Sequence, residues 1–278
     1  MRPLEKKVKA RNTSRAAPTP RFTLLADERR REILLLLRKD GRVSVEDLVR
    51  RFQVSAVTLR ADLGQLASQG VLERSYGGAL LPQEGAEDFP LSVKSSIHHA
   101  EKVRIGRAAA RLIKADQTII LDSGTTSLEV ARALKRSATK PLTIITHALN
   151  VAQELTSVPS VSVIMIGGLM RHVSGSFVGP QAERAIRELH AHHLFLGVDG
   201  LDPETGLSTP DLLEAQLNAL MLQVADETTV IADSSKLGRR SLSIIAPVRT
   251  VQRLITDRQA PENILSSISR LGVLVHTV

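Results

Sequence analysis

From Thr118 to the C-terminus, short apolar runs alternate with helical patterns, and this alternation narrows the fold more than any other feature of the chain. The runs are Thr118–Asp122, Leu142–Thr146, Val161–Gly167, Leu194–Asp199, Thr228–Asp233, Arg253–Asp257 and Val273–His276. Helical spacing fills the gaps at about 126–136, 148–156, 180–190, 211–225 and 261–271. Near-continuous apolar strands separated by helices predict an α/β domain with a mainly parallel sheet, covered on both faces. Such sheets gather ligands beyond the carboxyl ends of their strands. The small and polar residues collect there: Asp122-Ser123-Gly124-Thr125-Thr126, Thr146-His147, Gly167-Gly168, Asp199-Gly200 and Asp233-Ser234-Ser235-Lys236.

The first of these clusters organises the rest. An apolar run hands over directly to a helical pattern with Leu128, Ala131 and Leu134 on one face. Backbone N–H groups at such a turn point outward, and hydroxyls and the helix dipole add to them, which suits phosphate or another anion. Gly124 lets the turn bend and lets a ligand approach the main chain. A capped helix start with no ligand is the competing reading. Lys236 either neutralises a phosphate or is a surface charge, and Gly167-Gly168 is either a tight turn or a point of close ligand approach.

Charge divides the chain. Residues 1–82 hold 17 Lys/Arg against 9 Asp/Glu, whereas residues 83–278 hold 20 of each. A basic module joined to a neutral one suggests a polyanion-binding piece attached to a domain with another task. There is no cysteine, which excludes disulfides, thiolate metal sites and a cysteine nucleophile. No apolar run approaches the roughly 18 residues of a membrane span, and the polar, basic N-terminus lacks the apolar core of a secretory signal. A cytoplasmic protein with no membrane partner is expected. His98-His99 and His190/His192/His193 lack a completing ligand spacing and read as surface or packing residues, so no metal is expected.

Within the basic third, residues 1–24 carry no periodicity and read as a disordered tail. A helix is expected over 27–39, with Ile33, Leu34 and Leu37 buried, Asp27 as its cap and Gly41 as its stop. Ser44-Val45-Glu46-Asp47 has a capping-box pattern and opens a short helix to Phe52. Gln53-Val54-Ser55 then leads into a third helix at about 56–68, and so short a turn makes a helix-turn-helix. Leu59, Leu63 and Leu66 face inward, leaving Val57, Arg60, Ala61 and Gly64 opposite, flanked by Thr58 and Gln65. Arg60 is the candidate for a guanine contact and Val57 for a thymine methyl, with Ser55 capping the helix or holding a phosphate. Val71–Arg74 and Ala79–Pro82 around Gly77-Gly78 predict a β-hairpin wing, with Arg74 and Tyr76 reaching the DNA backbone or, for Tyr76, packing. Residues 83–93 read as a linker, acidic and Gly/Pro-bearing at its start. A long helical pattern follows from about Ala100 to Lys114.

Arg29 through Pro82, and above all Phe52 through Leu63, resembles the winged helix-turn-helix of DeoR-type bacterial transcription regulators. Those proteins usually carry two arginines where this chain has Arg60-Ala61, and most often His where it has Tyr76. From about Lys94 onward the chain resembles the sensor domain of the same family. The carriers are Asp122–Thr126, Gly167-Gly168, Phe195–Gly200, Glu214-Ala215, Asp233–Lys236 and Ile255-Thr256-Asp257. The family usually has Asn at His147 and Lys at Asn218.

The resemblance implies two domains: a small winged helix-turn-helix over 25–82, and over 94–278 an α/β domain similar in fold to ribose-5-phosphate isomerase, glucosamine-6-phosphate deaminase and CoA-transferases. It implies a repressor that binds a double-stranded operator and responds to a phosphorylated sugar or related metabolite, with no cofactor and no catalytic residue. Ser123, Gly124, Thr125 and Thr126 are then expected to cradle the phosphate with Lys236 as its cation, while Asp122, Asp199 and Glu214 face sugar hydroxyls. His147, Gly167, Gly168 and Gly200 complete the expected effector set. A homo-oligomer, dimer or tetramer, is expected, since symmetric winged domains suit paired half-sites. The rival class is a phosphosugar isomerase or deaminase with an accessory DNA-binding module, Asp122, Asp199 and Glu214 being its candidate bases.

Overall fold

All seven expected runs become strands of one parallel sheet. The computed structural model describes residues 25–68, 72–80, 91–137 and 141–278. The basic tail, most of the expected linker, and Val71, Leu81 and Pro82 of the expected wing lie outside the described residues.

The N-terminal domain begins with α1 (Ala26–Asp40), which Gly41 ends in a left-handed conformation, its N–H donating to the Leu37 carbonyl. Asp27 lies inside the first turn and is not its cap; the helix starts from Leu25, and Asp27 pairs with Arg30 at 2.9 Å. A strand with no counterpart in the sequence reading follows, β1 (Arg42–Ser44). Ser44 then caps α2 (Val45–Phe52), its hydroxyl accepting from the Asp47 N–H. Gln53 turns the chain with a φ of 55°, and Ser55 Oγ accepts from the Thr58 N–H at the start of α3 (Ala56–Ser68). β2 (Glu73–Ser75) and β3 (Gly78–Leu80) form the wing hairpin. Its turn is Tyr76-Gly77, one residue earlier than Gly77-Gly78, because Gly77 takes the positive φ of 80° while Gly78 pairs with both Ser75 and Ser44. Ile33, Leu37, Leu48, Leu59 and Leu63 form the core, all essentially buried.

One buried charge cluster fixes the third helix on the first. Asp62, on the inward face of α3, accepts from Arg29 Nε at 2.6 Å and Arg30 Nε at 3.0 Å.

A short helix, α4 (Leu91–Ser96), and α5 (His99–Ala110) lead into the second domain. Then follow β4 (Thr118–Leu121), α6 (Thr125–Ser137), β5 (Leu142–Thr146), α7 (Leu149–Leu155) and β6 (Val161–Met165). A small hairpin, β7 (Leu169–Arg171) and β8 (Ser176–Val178), precedes α8 (Pro180–Arg187) and β9 (Ala191–Leu196). A second hairpin, β10 (Gly200–Asp202) and β11 (Gly206–Thr209), precedes α9 (Leu212–Gln223) and β12 (Ala225–Ile231). The chain closes with a 3-10 turn at Ser234–Lys236, β13 (Ser243–Ala246), β14 (Arg253–Thr256), α10 (Glu262–Arg270) and β15 (Leu274–Thr277). β13 joins the second hairpin in a separate three-stranded sheet.

The large sheet runs β15-β14-β12-β9-β4-β5-β6, with every described pairing parallel. Successive residues feed opposite faces, as strand geometry requires. Ile119, Leu121, Ile144, Phe195, Ile231 and Ile255 pack with α5, α6 and α7. Ile120, Ile145, Leu194, Leu196, Val230 and Leu254 pack with α8, α9 and α10. Strand order reverses between β4 and β9: β4, β5 and β6 progress one way, and β9, β12, β14 and β15 the other. Loops leaving adjacent strand ends there diverge and leave a crevice, the place where open α/β sheets hold ligands.

Candidate functional site

At that reversal the strand-end residues meet. Asp122, Ser123, Gly124, Thr125, Thr126, Asp199, Glu214 and Lys236 line one cavity with Lys94, Lys102, Thr209, Asn218 and Asp233. Gly124 holds a φ of 110°, which side-chain-bearing residues rarely adopt, and a Cβ there would meet nothing within 4 Å. The turn therefore presents its backbone to open space. Leu128 N–H donates to the Gly124 carbonyl, so the N–H groups of the preceding turn lie before the first helical hydrogen bond.

Two neighbouring strand ends treat their carboxylates oppositely. Asp122 Oδ2 accepts from the Gly197 N–H at 2.9 Å, while Oδ1 is buried without a hydrogen-bond partner. Burial, reinforced by the Glu214 charge, pushes the Asp122 carboxyl well above the usual carboxylate range. Burial also acts on Asp199, but the Lys236 and Lys94 ammonium groups outweigh it and hold that carboxyl well below the range. Lys94 Nζ and Lys236 Nζ each stand 3.1 Å from Asp199 Oδ1. Glu214 is pushed up by burial and by the Asp199 charge; it accepts from Ser123 Oγ at 3.0 Å and lies 3.2 Å from Arg171. Asp233 accepts from the Ser235 N–H at 3.1 Å, and Lys102, 3.7 Å away, overcomes its burial and lowers it. The Lys94, Lys102 and Lys236 ammonium groups thus stand in one lining with the carboxyl groups of Asp122, Asp199, Glu214 and Asp233. Ammonium donors beside an open backbone turn can receive an anion, and the carboxyl groups can receive hydroxyls.

The other expected effector residues lie outside the lining of this cavity. His147 is buried behind Asp122, with Nε2 3.6 Å from its Oδ1, and burial lowers its pKa to about 4. Gly168 and Gly200 are points of close backbone approach: a Cβ would meet the Val178 carbonyl oxygen at 2.6 Å and Ser208 Oγ at 2.5 Å. Gly167, Gly168, Gly200 and His147 are not among the lining residues. Lys94, Lys102 and Arg171 were missed by sequence reasoning. Each reaches the site from far along the chain, and a lysine aimed inward from a basic helix looks like any solvated lysine.

The helix face opposite Leu59, Leu63 and Leu66 is open. Val57, Arg60, Ala61 and Gln65 are exposed on α3, with Ser55 exposed at its start and Thr58 half-buried. Arg74 is exposed on the wing and Tyr76 is fully exposed at its tip, so Tyr76 does not pack. Among the histidines, His190 pairs with Asp226 at 2.9 Å, His192 accepts from the Thr118 N–H, and His193 is buried, stacked on Phe195. No group of His, Cys, Asp and Glu among the described residues has the makings of a metal site, and no described helix is long and apolar enough to cross a membrane.

Comparison with known proteins matches both domains. Residues 29–84 match the model of the DeoR-like helix-turn-helix domain, and residues 97–258 that of the DeoR C terminal sensor domain. The chain is 40% identical over 250 residues to an Escherichia coli O157:H7 protein described as a provisional repressor of the aga operon, covering 89% of this chain and 92% of that one. It is 30% identical over 242 residues to the glycerol-3-phosphate regulon repressor of Escherichia coli K12, covering 87% and 95%. It is also similar to ribose 5-phosphate isomerase A of Methanocaldococcus jannaschii at a TM-score of 0.38 and 17% identity, over 50% of this chain and 54% of that one, a likeness too loose to bear on the site.

Proposed function

This chain belongs to the DeoR family of transcriptional regulators, and from that premise we propose that a phosphorylated sugar or related phosphometabolite, held in the cavity at the sheet's reversal point, sets how tightly it grips its operator. Ser123, Gly124, Thr125 and Thr126 seat the phosphate, with Lys236 as a cation. Asp122, Asp199 and Glu214 turn to the hydroxyls. The observation that carries this reading is the convergence of an open, glycine-opened helix start with lysine ammonium groups at the topological switch point.

The front of the molecule reads DNA through α3, Arg60 and Val57 meeting base edges, Ser55, Thr58, Ala61 and Gln65 flanking them, and Arg74 and Tyr76 touching the backbone from the wing. Residues 25–82 form the operator-reading unit and 94–278 the sensing unit, with 83–93 joining them. The protein acts as a homo-oligomer, because paired half-sites reward symmetric winged domains. It works in the cytoplasm, where an operator is reachable. The cavity binds and does not turn over its ligand, in keeping with relatives named as transcriptional repressors.

An effector must bind the two domain arrangements unequally, and a difference of about 1–3 kcal/mol changes affinity from several-fold to about a hundredfold. The test is a thermal-shift and gel-shift pair on the full chain with ribose 5-phosphate, glycerol 3-phosphate and glucosamine 6-phosphate. At least one should raise the melting temperature of the second domain and alter binding to the DNA upstream of the protein's own gene. Indifference to all such esters in both assays would sink the reading.

A further inference from the structure

α4 is held from both sides. Its Lys94 ammonium shares Asp199 with Lys236 inside the cavity. Beyond its C-terminal end, Ile97 lines that same cavity and also belongs to the buried cluster of the DNA-binding domain, with Ile33, Leu37 and Leu63. Between them, Lys102 Nζ donates to the carbonyls of Lys94, at 2.8 Å, and of Ile97. Lys102 is itself 3.7 Å from Asp233, which caps the 3-10 turn that carries Lys236. The charges thus form a loop that begins and ends at Asp199, with the backbone of α4 as one of its links.

A six-residue helix has no stability of its own in water, so its contacts decide where α4 sits. An anion at the Ser/Thr turn and the Asp199 carboxylate compete for the same two ammonium groups, and charge-assisted hydrogen bonds are strong enough for the exchange to matter. We propose that Lys94 is the effector-sensing residue of this protein: its ammonium passes from Asp199 to the phosphate of the ligand, α4 shifts with it, and Ile97 carries the shift into the core of the DNA-binding domain. The proposal rests on the reading of the cavity as a phosphometabolite site and adds how occupancy is transmitted.

The test follows hydrogen exchange of the backbone amides from Lys94 to Ile97 in the full-length protein, with ribose 5-phosphate and glycerol 3-phosphate as probes and thermal shift as the measure of binding. In the wild type a bound probe should change exchange in that segment severalfold. Lys94→Met should bind the same probe on the order of tenfold more weakly, the worth of a charged hydrogen bond. At probe concentrations that restore saturation, its exchange at 94–97 should not respond. Lys94→Arg, which keeps the cation, should recover the response. Asp199→Asn with no probe added should raise exchange at 94–97, since the helix then loses its charged anchor. Lys94→Met with wild-type affinity and a wild-type exchange response overturns the proposal, as does unaltered exchange in Asp199→Asn. A wild type that binds neither these esters nor glucosamine 6-phosphate overturns the reading of the cavity, and the proposal with it. That result is told apart from failure of the proposal alone, in which the wild type binds and only the variants fail to differ.

Discussion

Asp62 should matter more to the DNA-binding domain than any residue on its open face. It is only 4% exposed at the side chain and answers two guanidinium groups, Arg29 at 7% and Arg30 at 22% exposure. Those exposures decide what Asp62→Ala leaves behind. Arg30 can turn to water and keeps Asp27 at 2.9 Å. Arg29 is too buried to do the same, and breaking a buried ion pair by removing one partner costs roughly 3–5 kcal/mol. Because Arg30 escapes, we expect the lower half of that range, about 3–4 kcal/mol. A domain this small has a modest total stability, and each 1 kcal/mol moves the melting point of a 60–100-residue domain by about 4–8 °C. The first transition in calorimetry should therefore fall by roughly 12–30 °C while the second stays put. Asp62→Asn, which can still accept from one arginine, should lose less. DNA affinity measured below the lowered transition should remain, since no base or phosphate contact is removed. If Asp62→Ala lowers the first transition by less than about 1 kcal/mol equivalent, the pair is not holding α3 on α1 and the reasoning fails.

Three further outcomes follow from the structure. Arg60→Ala should weaken operator binding by roughly 1–3 kcal/mol, whereas Arg74→Ala should weaken all sequences alike and lower the salt slope by about 1; gel shifts at several salt concentrations separate the two. His147, held to about 4 in the fold against 6.5 when free, contributes stability that is present above 6.5 and lost as pH falls toward 4, worth about 3 kcal/mol across that window. His147→Asn should flatten this acid slope in urea unfolding of the second domain, and an unchanged slope would show that another group titrates. Asp122, raised in the fold, works the other way: its contribution is present at low pH and lost as pH rises through the raised value. Asp122→Asn should therefore be more stable than the wild type at pH 8, with the difference closing on acidification; thermal melts across that range check it.

The inner strands of the large sheet were legible because burial on both faces writes them as continuous apolar runs, whereas the strand order, and with it the reversal point, comes only from the structure. Strand starts were harder. β9 begins at Ala191, not Leu194, because His192 and His193 read as polar; His193 is in fact buried, stacked 4.3 Å from Phe195 and bonded to Thr229. β12 likewise starts three residues early through Asp226 and Glu227, whose charges are met by His190 and Arg253. The hairpins at Leu169–Val178 and Gly200–Thr209 have strands of three or four residues, too short to show a period. β1 was hidden because Ser44 is both its last residue and the cap of the next helix.

The cavity was legible as a cluster of strand ends but not as a charge system, since Lys94 and Asp199 meet across 105 positions of chain. That difference changes what the ligand must supply. If a phosphate draws Lys94 and Lys236 to itself, Asp199 is left buried and short of donors, with Thr209 Oγ1, 3.5 Å away, as its other side-chain donor among the described residues. A buried carboxylate in that position needs new hydrogen bonds, each worth about 1.5–3 kcal/mol when one partner is charged. Inorganic phosphate brings one or two hydroxyls, all on the anion itself, and a phosphorylated polyol brings several at the distance of a carbon chain. The polyol phosphate should therefore bind on the order of ten- to a hundredfold more tightly than inorganic phosphate, by one such bond. In Asp199→Asn the gap should narrow, because a neutral amide no longer depends on those hydroxyls. Calorimetric titration of both ligands against both proteins measures this, and an equal gap in the two would mean that Asp199 does not meet the ligand.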